Sequence, residues 1–172
     1  MESLGSALLL VGHHLFGLGV RGETSHGSQN VAGTAAEWLA VASTVVQAGV
    51  LIWIWAAFVR GRSDAEALVR STAATLCAFV AFGKVLSPQF PIWLIPIVPL
   101  VRGRRGLLAS ALLGVALVLT QTWFPFRYFR LALNFEEGLS WLLLARDLTF
   151  VAVVAVLVVT LRRTSATRPE SP

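Results

Sequence analysis

The stretch "GKVLSPQFPIWLIP", residues 83–96, lies within apolar sequence but contains a lysine, a serine, a glutamine and several prolines. A soluble core excludes a lone ammonium group, and a plain membrane anchor excludes prolines that interrupt its helix. Irregular backbone is tolerated at membrane depth only where neighbouring helices cover it or where it lines a wet cavity. The stretch therefore predicts a bent or broken helix in a membrane bundle, buried among neighbouring helices or beside a wet cavity.

The composition of the whole chain indicates an integral membrane protein. Of its 172 residues, 56% are hydrophobic and 13% are charged, whereas soluble domains carry about 25% charged residues. The formal net charge of +5 does not indicate nucleic-acid binding, because the arginines cluster beside apolar runs, as the positive-inside rule requires. Cys77 is the only cysteine and lies in an apolar run, so we expect it to be a packing residue.

Five apolar segments predict the fold. They cover residues 35–59, 67–85, 90–101, 107–124 and 148–161. The third contains three prolines and is short for a core about 30 Å thick, which needs about 20 helical residues, so it predicts a bent or broken helix. The fold class is therefore all-α, a polytopic transmembrane helix bundle of about five spans plus an N-terminal interfacial or partly buried helix within residues 4–20. Residues 21–30 predict a turn-rich polar stretch and residues 125–146 a polar connection.

The distribution of cations predicts the orientation of the bundle. The arginines that cluster at span ends fall on one side of this layout: Arg60, Arg62, Arg70, Arg102, Arg104, Arg105, Arg162, Arg163 and Arg168. The remaining cations, Arg21, Lys84, Arg127, Arg130 and Arg146, fall on the other side. This asymmetry places the N-terminus outside and the C-terminus in the cytoplasm. Residues 1–163 form the membrane portion, and residues 164–172 predict a disordered cytoplasmic tail.

Three polar patches are expected on the outer face. They comprise residues 23–30; Lys84, Ser87 and Gln89; and Arg127, Arg130, Glu136, Glu137, Arg146 and Asp147. The Lys84 ammonium group, near the end of a span, must pair, reach the interface or meet an anion. With Ser87 and Gln89 beside it, the group predicts a site for an anionic headgroup such as a lipid phosphate. The alternative is a lysine that snorkels at an ordinary interface.

Other polar residues leave two interpretations open. His26 is either an acid or base or a loop histidine that satisfies a turn. Glu2 is either buried and functional or an acid at a helix start. Glu136 and Glu137 predict an exposed or ion-paired edge with the nearby arginines, and the six tryptophans predict interface anchors. The sequence contains no metal-ligand spacing, no glycine-rich phosphate loop and no nucleophile elbow.

Four stretches resemble one enzyme family. "GKVLSPQFPIWLIPIVPL" resembles the C-terminal signature of the polyprenyl-phosphate-dependent GT-C mannosyltransferases, above all the actinobacterial glycosyltransferase family 87, with GPI mannosyltransferase I more distant. "MESLGSALLLVGHHL" is similar to the family's Gln-Ile-Glu-Ser-Leu segment, and "SHGSQNVAG" to its Ser-His-Gly-Ser-Gln-Asn segment. "LLLARDLTFVAVVAVL" resembles the last span, with Asp147 where asparagine is more usual.

The resemblance implies inverting transfer of mannose from polyprenyl-phosphate-mannose to a glycolipid or polysaccharide acceptor. The reaction would occur at the outer face of the cytoplasmic membrane, without cofactor, metal or nucleotide sugar. We expect Lys84, helped by Ser87 and Gln89, to bind the donor phosphate. The segment formed by Ser25, His26, Ser28, Gln29 and Asn30 is expected to line the sugar or acceptor pocket. Further candidates are Glu2, Arg127 and Arg146.

The resemblance also implies that the chain is the C-terminal portion of such an enzyme. The family's catalytic aspartate lies in an outer loop upstream of anything matched here, so no catalytic residue is expected in this chain. Its partners would be the lipid bilayer, the donor, the acceptor and an N-terminal half of the same enzyme. One alternative is a non-enzymatic membrane subunit or an inactive truncated remnant. Another is a small transporter for an anionic lipid or solute, which would need a second polar patch facing the cytoplasm.

Overall fold

The computed structural model describes residues 2–25, 28–61 and 64–166. Its helices are α1 (Leu4–Phe16), α2 (Thr34–Arg60), α3 (Ala65–Phe82), α4 (Gly103–Gln121), α5 (Tyr128–Asn134) and α6 (Glu137–Ala166). Strands β1 (Arg21–Ser25) and β2 (Ser28–Ala32) form an antiparallel hairpin between α1 and α2. Two short 3₁₀ segments, Phe90–Trp93 and Val98–Leu100, lie between α3 and α4.

The all-α fold class is confirmed. In the described part of the chain, four helices are long and apolar enough to cross a membrane: α2, α3, α4 and residues 137–159 of α6. The 13-residue helix α1 is too short to span, and it buries Ala7, Leu10 and Val11, which agrees with the expected partly buried N-terminal helix.

The predicted third span is broken, as its prolines require. Leu94 donates its backbone N–H to the carbonyl of Pro91 at 3.0 Å, a 3₁₀ bond, and two short 3₁₀ segments joined by turns replace a continuous α-helix here. Leu94 and Val98 are fully buried in the main core, and this segment contacts α3 and α4. Irregular backbone thus lies against protein, which is the condition for its survival at membrane depth.

Helix α6 lies at the centre of the bundle and contacts α1, α2, α3 and α4. The main core joins bulky residues of α6, including Phe150 and Leu157, to small residues of α3. Those small residues are Ala73, Ala74, Cys77, Ala78 and Ala81, and they let the two helices approach closely. Cys77 is fully buried there, so its expected packing role is confirmed.

The helices run in two directions between two ends of the bundle. Helix α1 is antiparallel to α6, because Glu2 before its start contacts Arg146 of α6 whereas His14 near its end contacts Ser140 in the first turns of α6. Helices α2 and α6 therefore start, and α1 ends, at the end of the bundle that carries the strands, which we call the hairpin end. Helices α3 and α4 run the opposite way, from the arginine end, where α2 stops and where Arg60, Arg102, Arg104 and Arg105 lie.

Two predicted boundaries were wrong. Residues 21–25 and 28–32 form paired strands, in which Arg21 pairs with Ala32 and Glu23 with Asn30, although these strands lack the alternation of apolar residues that marks a strand in sequence. Helix α6 begins at Glu137 rather than near residue 148, so the polar connection is shorter than expected. Of the predicted tail, residues 164–166 belong to α6 and residues 167–172 lie outside the described residues.

Candidate functional site

A polar cavity of about 390 Å³ extends from the hairpin towards the middle of the bundle. It lies between α1, the hairpin, α2 and the loop that follows α3. Its polar lining residues are Ser3, Ser6, Glu23, Asn30, Glu37, Ser43 and Lys84, and Leu9, Leu39 and Val85 contribute apolar wall. The fold therefore brings Lys84 and Asn30, which belong to two separate patches in the sequence, into one cavity.

The position of Lys84 in the bundle follows from the length of α3. This helix has 18 residues and rises about 27 Å from the arginine end, close to the ~30 Å thickness of a hydrocarbon core. At its end, a side chain on Gly83 would come within 2.9 Å of the Phe79 carbonyl, so glycine lets the chain turn away tightly. Lys84 is exposed to the cavity and, among the described residues, makes no ion pair. Its ammonium group is available to an anion.

Two carboxylates share the cavity with Lys84: Glu23, which belongs to the first predicted polar patch, and Glu37, which the sequence interpretation did not select. Glu37 lies in the first turn of α2, where the helix dipole favours a negative charge. Glu23 lies on β1 opposite Asn30 of β2. Glu37 lies inside the predicted first span. The one signal that could have identified it is its position in the first turn of the helix, where a carboxylate is favoured.

Other predicted site residues lie away from this cavity. Ser87 and Gln89 are not among its lining residues, and their carbonyls accept backbone hydrogen bonds that open the first 3₁₀ segment, at 3.0 Å and 3.1 Å. The Gln29 side chain accepts a hydrogen bond from Thr24 Oγ1 at 3.1 Å. His26 and the side chains of Ser25 and Ser28 lie outside the described residues.

An apolar groove of about 310 Å³ lies further along α2 towards the arginine end, and it shares no lining residue with the cavity. It is lined by Gly49, Val50 and Trp53 of α2, Phe82 of α3, and Val151, Val154, Ala155 and Val158 of α6. Gln47 of α2 lies between the two spaces and donates a hydrogen bond to the Phe79 carbonyl at 2.9 Å. Along α2 the polar cavity is therefore followed by Gln47 and then by the apolar groove. Lys84 lies close to Gln47, because Gly83 beside it packs against that side chain.

A second polar group is enclosed in the bundle behind α1. Arg146 and Asp147 of α6 are buried, with 0% and 1% of their surfaces exposed, and Arg146 Nη2 lies 2.7 Å from Asp147 Oδ1. The same Arg146 nitrogen donates to the backbone carbonyl of Glu2, and the guanidinium carbon lies 5.5 Å from the centre of the Trp123 ring. Within the described part of the chain, Arg146 Nη1, Asp147 Oδ2 and Trp123 Nε1 are buried without a hydrogen-bond partner.

This buried group corrects two expectations. Arg146 and Asp147 do not belong to an exposed outer patch, and Trp123 is buried rather than an interface anchor. Glu2 is also buried, and burial raises the pKa of its carboxyl group despite the nearby Arg146 charge and a hydrogen bond from Tyr128. Arg146 is therefore not among the residues that line the cavity. It holds the backbone just before α1, next to Ser3 and Ser6, which line the cavity.

The rest of the third patch lies at the surface. Arg127 is exposed, and Arg130 Nε lies 2.8 Å from Glu136 Oε2, which confirms the ion-paired edge predicted there. Among the described residues, no three histidine, cysteine, aspartate or glutamate side chains come together in a way that could hold a metal ion. No protein family, no curated protein and no solved structure matches this chain.

Proposed function

We propose that this chain is the donor-binding membrane portion of a polyprenyl-phosphate-dependent hexosyltransferase, a mannosyltransferase of the GT-C type. One observation carries the proposal: Lys84, which has no ion pair among the described residues, lines a polar cavity beside α2, and an apolar groove lies further along the same helix. A lysine at the end of a membrane-spanning helix pairs, reaches the interface or meets an anion. A lipid phosphate supplies that anion together with a tail for the groove.

The order of the site along α2 fits the order of groups in such a donor. The groove beside Val50 and Trp53 lies on the hydrocarbon side and suits a prenyl chain. Lys84 lies where a helix of 18 residues reaches the membrane surface, which suits the phosphate. The polar cavity beyond it leads to the hairpin end and leaves room for the sugar. In this proposal the hairpin end faces the outside of the cytoplasmic membrane.

The proposed reaction is transfer with inversion at the anomeric carbon. The acceptor hydroxyl oxygen bonds to that carbon while the bond to the phosphate oxygen breaks, and its electron pair leaves with the polyprenyl phosphate. The acceptor proton passes to a carboxylate general base. Lys84 stabilises the charge that develops on the departing phosphate.

The chemistry of Lys84 allows a direct test, because it is the only lysine in the chain. An amine-reactive reagent applied to membranes that contain the full chain modifies this residue, and digestion followed by mass spectrometry measures the extent. We expect polyprenyl phosphate to slow modification of Lys84 at least about tenfold. Polyprenol without phosphate and inorganic phosphate alone serve as controls, and neither should protect. Equal modification with and without the phospholipid would contradict the proposal.

A transfer assay separates an enzyme portion from a complete enzyme. Membranes that contain this chain alone are supplied with polyprenyl-phosphate-mannose carrying labelled mannose, and Lys84→Ala is the control variant. We expect binding without transfer. Lys84-dependent transfer, lost by about 100-fold or more in the variant, would show that the chain carries its own base. Absence of both binding and transfer would favour a non-enzymatic subunit.

A further inference from the structure

We infer that Glu23 and Glu37, together with Asn30, bind the hydroxyl groups of the donor sugar, and that this end of the cavity selects a neutral hexose. The inference rests on the proposed function, because it assigns the sugar end of the same site. It adds recognition residues that the resemblance does not supply, since neither carboxylate lies in the stretches that resemble the family's site segments.

The positive and negative side chains that line the cavity lie at different positions along the axis of α2. Gly83, beside Lys84, lies against Gln47, because a side chain placed on Gly83 would come within 3.6 Å of Gln47 Nε2. Glu37 precedes Gln47 on the same helix and lies nearer the hairpin end by about 15 Å of helix rise. Glu23 and Asn30 are on the hairpin itself. The cation therefore lies at the inner end of the cavity, and the carboxylates lie towards its hairpin end.

This separation orients an amphiphile that carries both a phosphate and a sugar. An ionised carboxylate only accepts hydrogen bonds, and sugar hydroxyls are donors that suit it. The same carboxylates repel a phosphate, so the phosphate is held at Lys84 and the sugar is directed to the hairpin end. Glu23 and Glu37 come from different elements, β1 and α2, so that one hexose can be held from two sides.

The charge at the hairpin end also restricts which sugar is accepted. A hexuronic acid or a hexose with a second phosphate would place an anion against Glu23 and Glu37, at a cost that grows as water is excluded. A neutral hexose gains charge-assisted hydrogen bonds from the same groups. The substrate class is therefore a neutral hexose on a lipid phosphate.

The test compares two lipids in the same variants. Protection of Lys84 from the amine-reactive reagent is titrated with polyprenyl-phosphate-mannose and with polyprenyl phosphate. We expect Glu37→Gln and Glu23→Gln each to weaken protection by the sugar-bearing lipid about tenfold, because each loses a hydrogen bond to a charged group. Protection by the bare phosphate is expected to be unchanged or tighter. Within one variant, the ratio of the lipid concentrations that give half-maximal protection does not depend on the fraction of protein that is folded.

A matched control variant is Glu137→Gln. Glu137 is an exposed carboxylate in the first turn of α6, as Glu37 is in α2, and it does not line the cavity. We expect it to leave both titrations unchanged. Titrations repeated in EDTA should give the same ratios, which supports direct hydrogen bonding. A ratio abolished by EDTA would mean that a metal ion bridges the sugar, and it would overturn the inference.

The remaining outcomes separate this inference from the proposed function. If both lipids protect Lys84 and the glutamine variants change neither titration, or change both equally, the carboxylates do not bind sugar and the lipid-phosphate site still stands. If neither lipid protects Lys84 in the unmodified chain, the proposed function fails and this inference fails with it.

Discussion

At the scale of single residues, two cations illustrate how position determines role. Arg146 is fully buried, and its Nε and Nη2 both contact Asp147 Oδ1. The same Nη2 donates a hydrogen bond to the backbone carbonyl of Glu2. Lys84 is exposed to a cavity and has no ion pair among the described residues. Arg146 is therefore a structural clamp between the start of α1 and α6, with its Nη1 left without a partner among the described residues, whereas Lys84 is the cation to which our proposal assigns an anion.

Removing the buried cation should cost far more than removing an exposed one. Arg146→Ala leaves Asp147 charged and enclosed, so we expect the free energy of unfolding in detergent to fall by about 3–5 kcal/mol. The matched control is Arg130→Ala, which breaks the exposed ion pair to Glu136 and should cost less than about 1 kcal/mol. Denaturant titration followed by tryptophan fluorescence measures both. Similar small losses at the two positions would contradict the clamp role of Arg146.

At the scale of elements, the segment between α3 and α4 determines how the bundle closes. Its prolines break the helix, and its return to α4 depends on one close contact between backbones. A side chain on Gly106 would lie 1.7 Å from the Val101 carbonyl oxygen, which no rotation of a side chain can relieve. The start of α4 therefore packs on the broken segment only with glycine at this position.

The glycine contact gives a prediction with a control on the same helix. Gly106→Ala forces Val101 and α4 apart, and we expect a loss of about 1–3 kcal/mol or failure to insert as a stable bundle. Gly114→Ala meets no neighbour within 4 Å and should be neutral or stabilising by up to about 1 kcal/mol, because alanine favours helix. Thermal unfolding of the two purified variants in detergent compares them. Equal behaviour would exclude the close contact.

The elements also show which local signals the sequence carries. The apolar runs predicted α2, α3 and α4 to within a few residues, and the prolines predicted the break after Lys84. The hairpin was missed, because strands such as "RGETS" satisfy their backbone by pairing with each other and not by burying an apolar face. The start of α6 at Glu137 was not predicted, because charged residues such as Arg146 and Asp147 disfavour a span and their pairing with each other is visible only in the structure.

At the scale of the whole molecule, an apolar groove and a polar cavity lie at successive positions along α2. The groove of Val50, Trp53 and Val154 lies towards the arginine end, and the cavity that Lys84 lines lies at the hairpin end. Helices of spanning length surround the groove, and the short elements α1, β1, β2 and α5 gather at the hairpin end. This arrangement suits a ligand whose tail stays in the membrane while its head leaves it.

The orientation of the molecule can be tested with single cysteines. In a Cys77→Ala background, Gly19→Cys and Arg104→Cys place exposed thiols at the hairpin end and the arginine end. We expect a membrane-impermeant thiol reagent added to intact cells to label the cysteine at position 19 and to label the one at position 104 only after lysis, because arginine clusters stay in the cytoplasm. The reverse pattern would place the cavity on the cytoplasmic side and contradict the proposed outer-face reaction.

The sequence by itself determined the membrane class, the approximate spans and the broken segment, because apolar run length and proline act locally. Only the tertiary structure decided which polar residues share a space. It joined Lys84 to Asn30, Glu23 and Glu37 and separated Arg146 behind α1. Spacing along the chain could not reveal this, because the cavity is closed by contacts between α1, the hairpin and α2, whose packing depends on residues far apart in sequence.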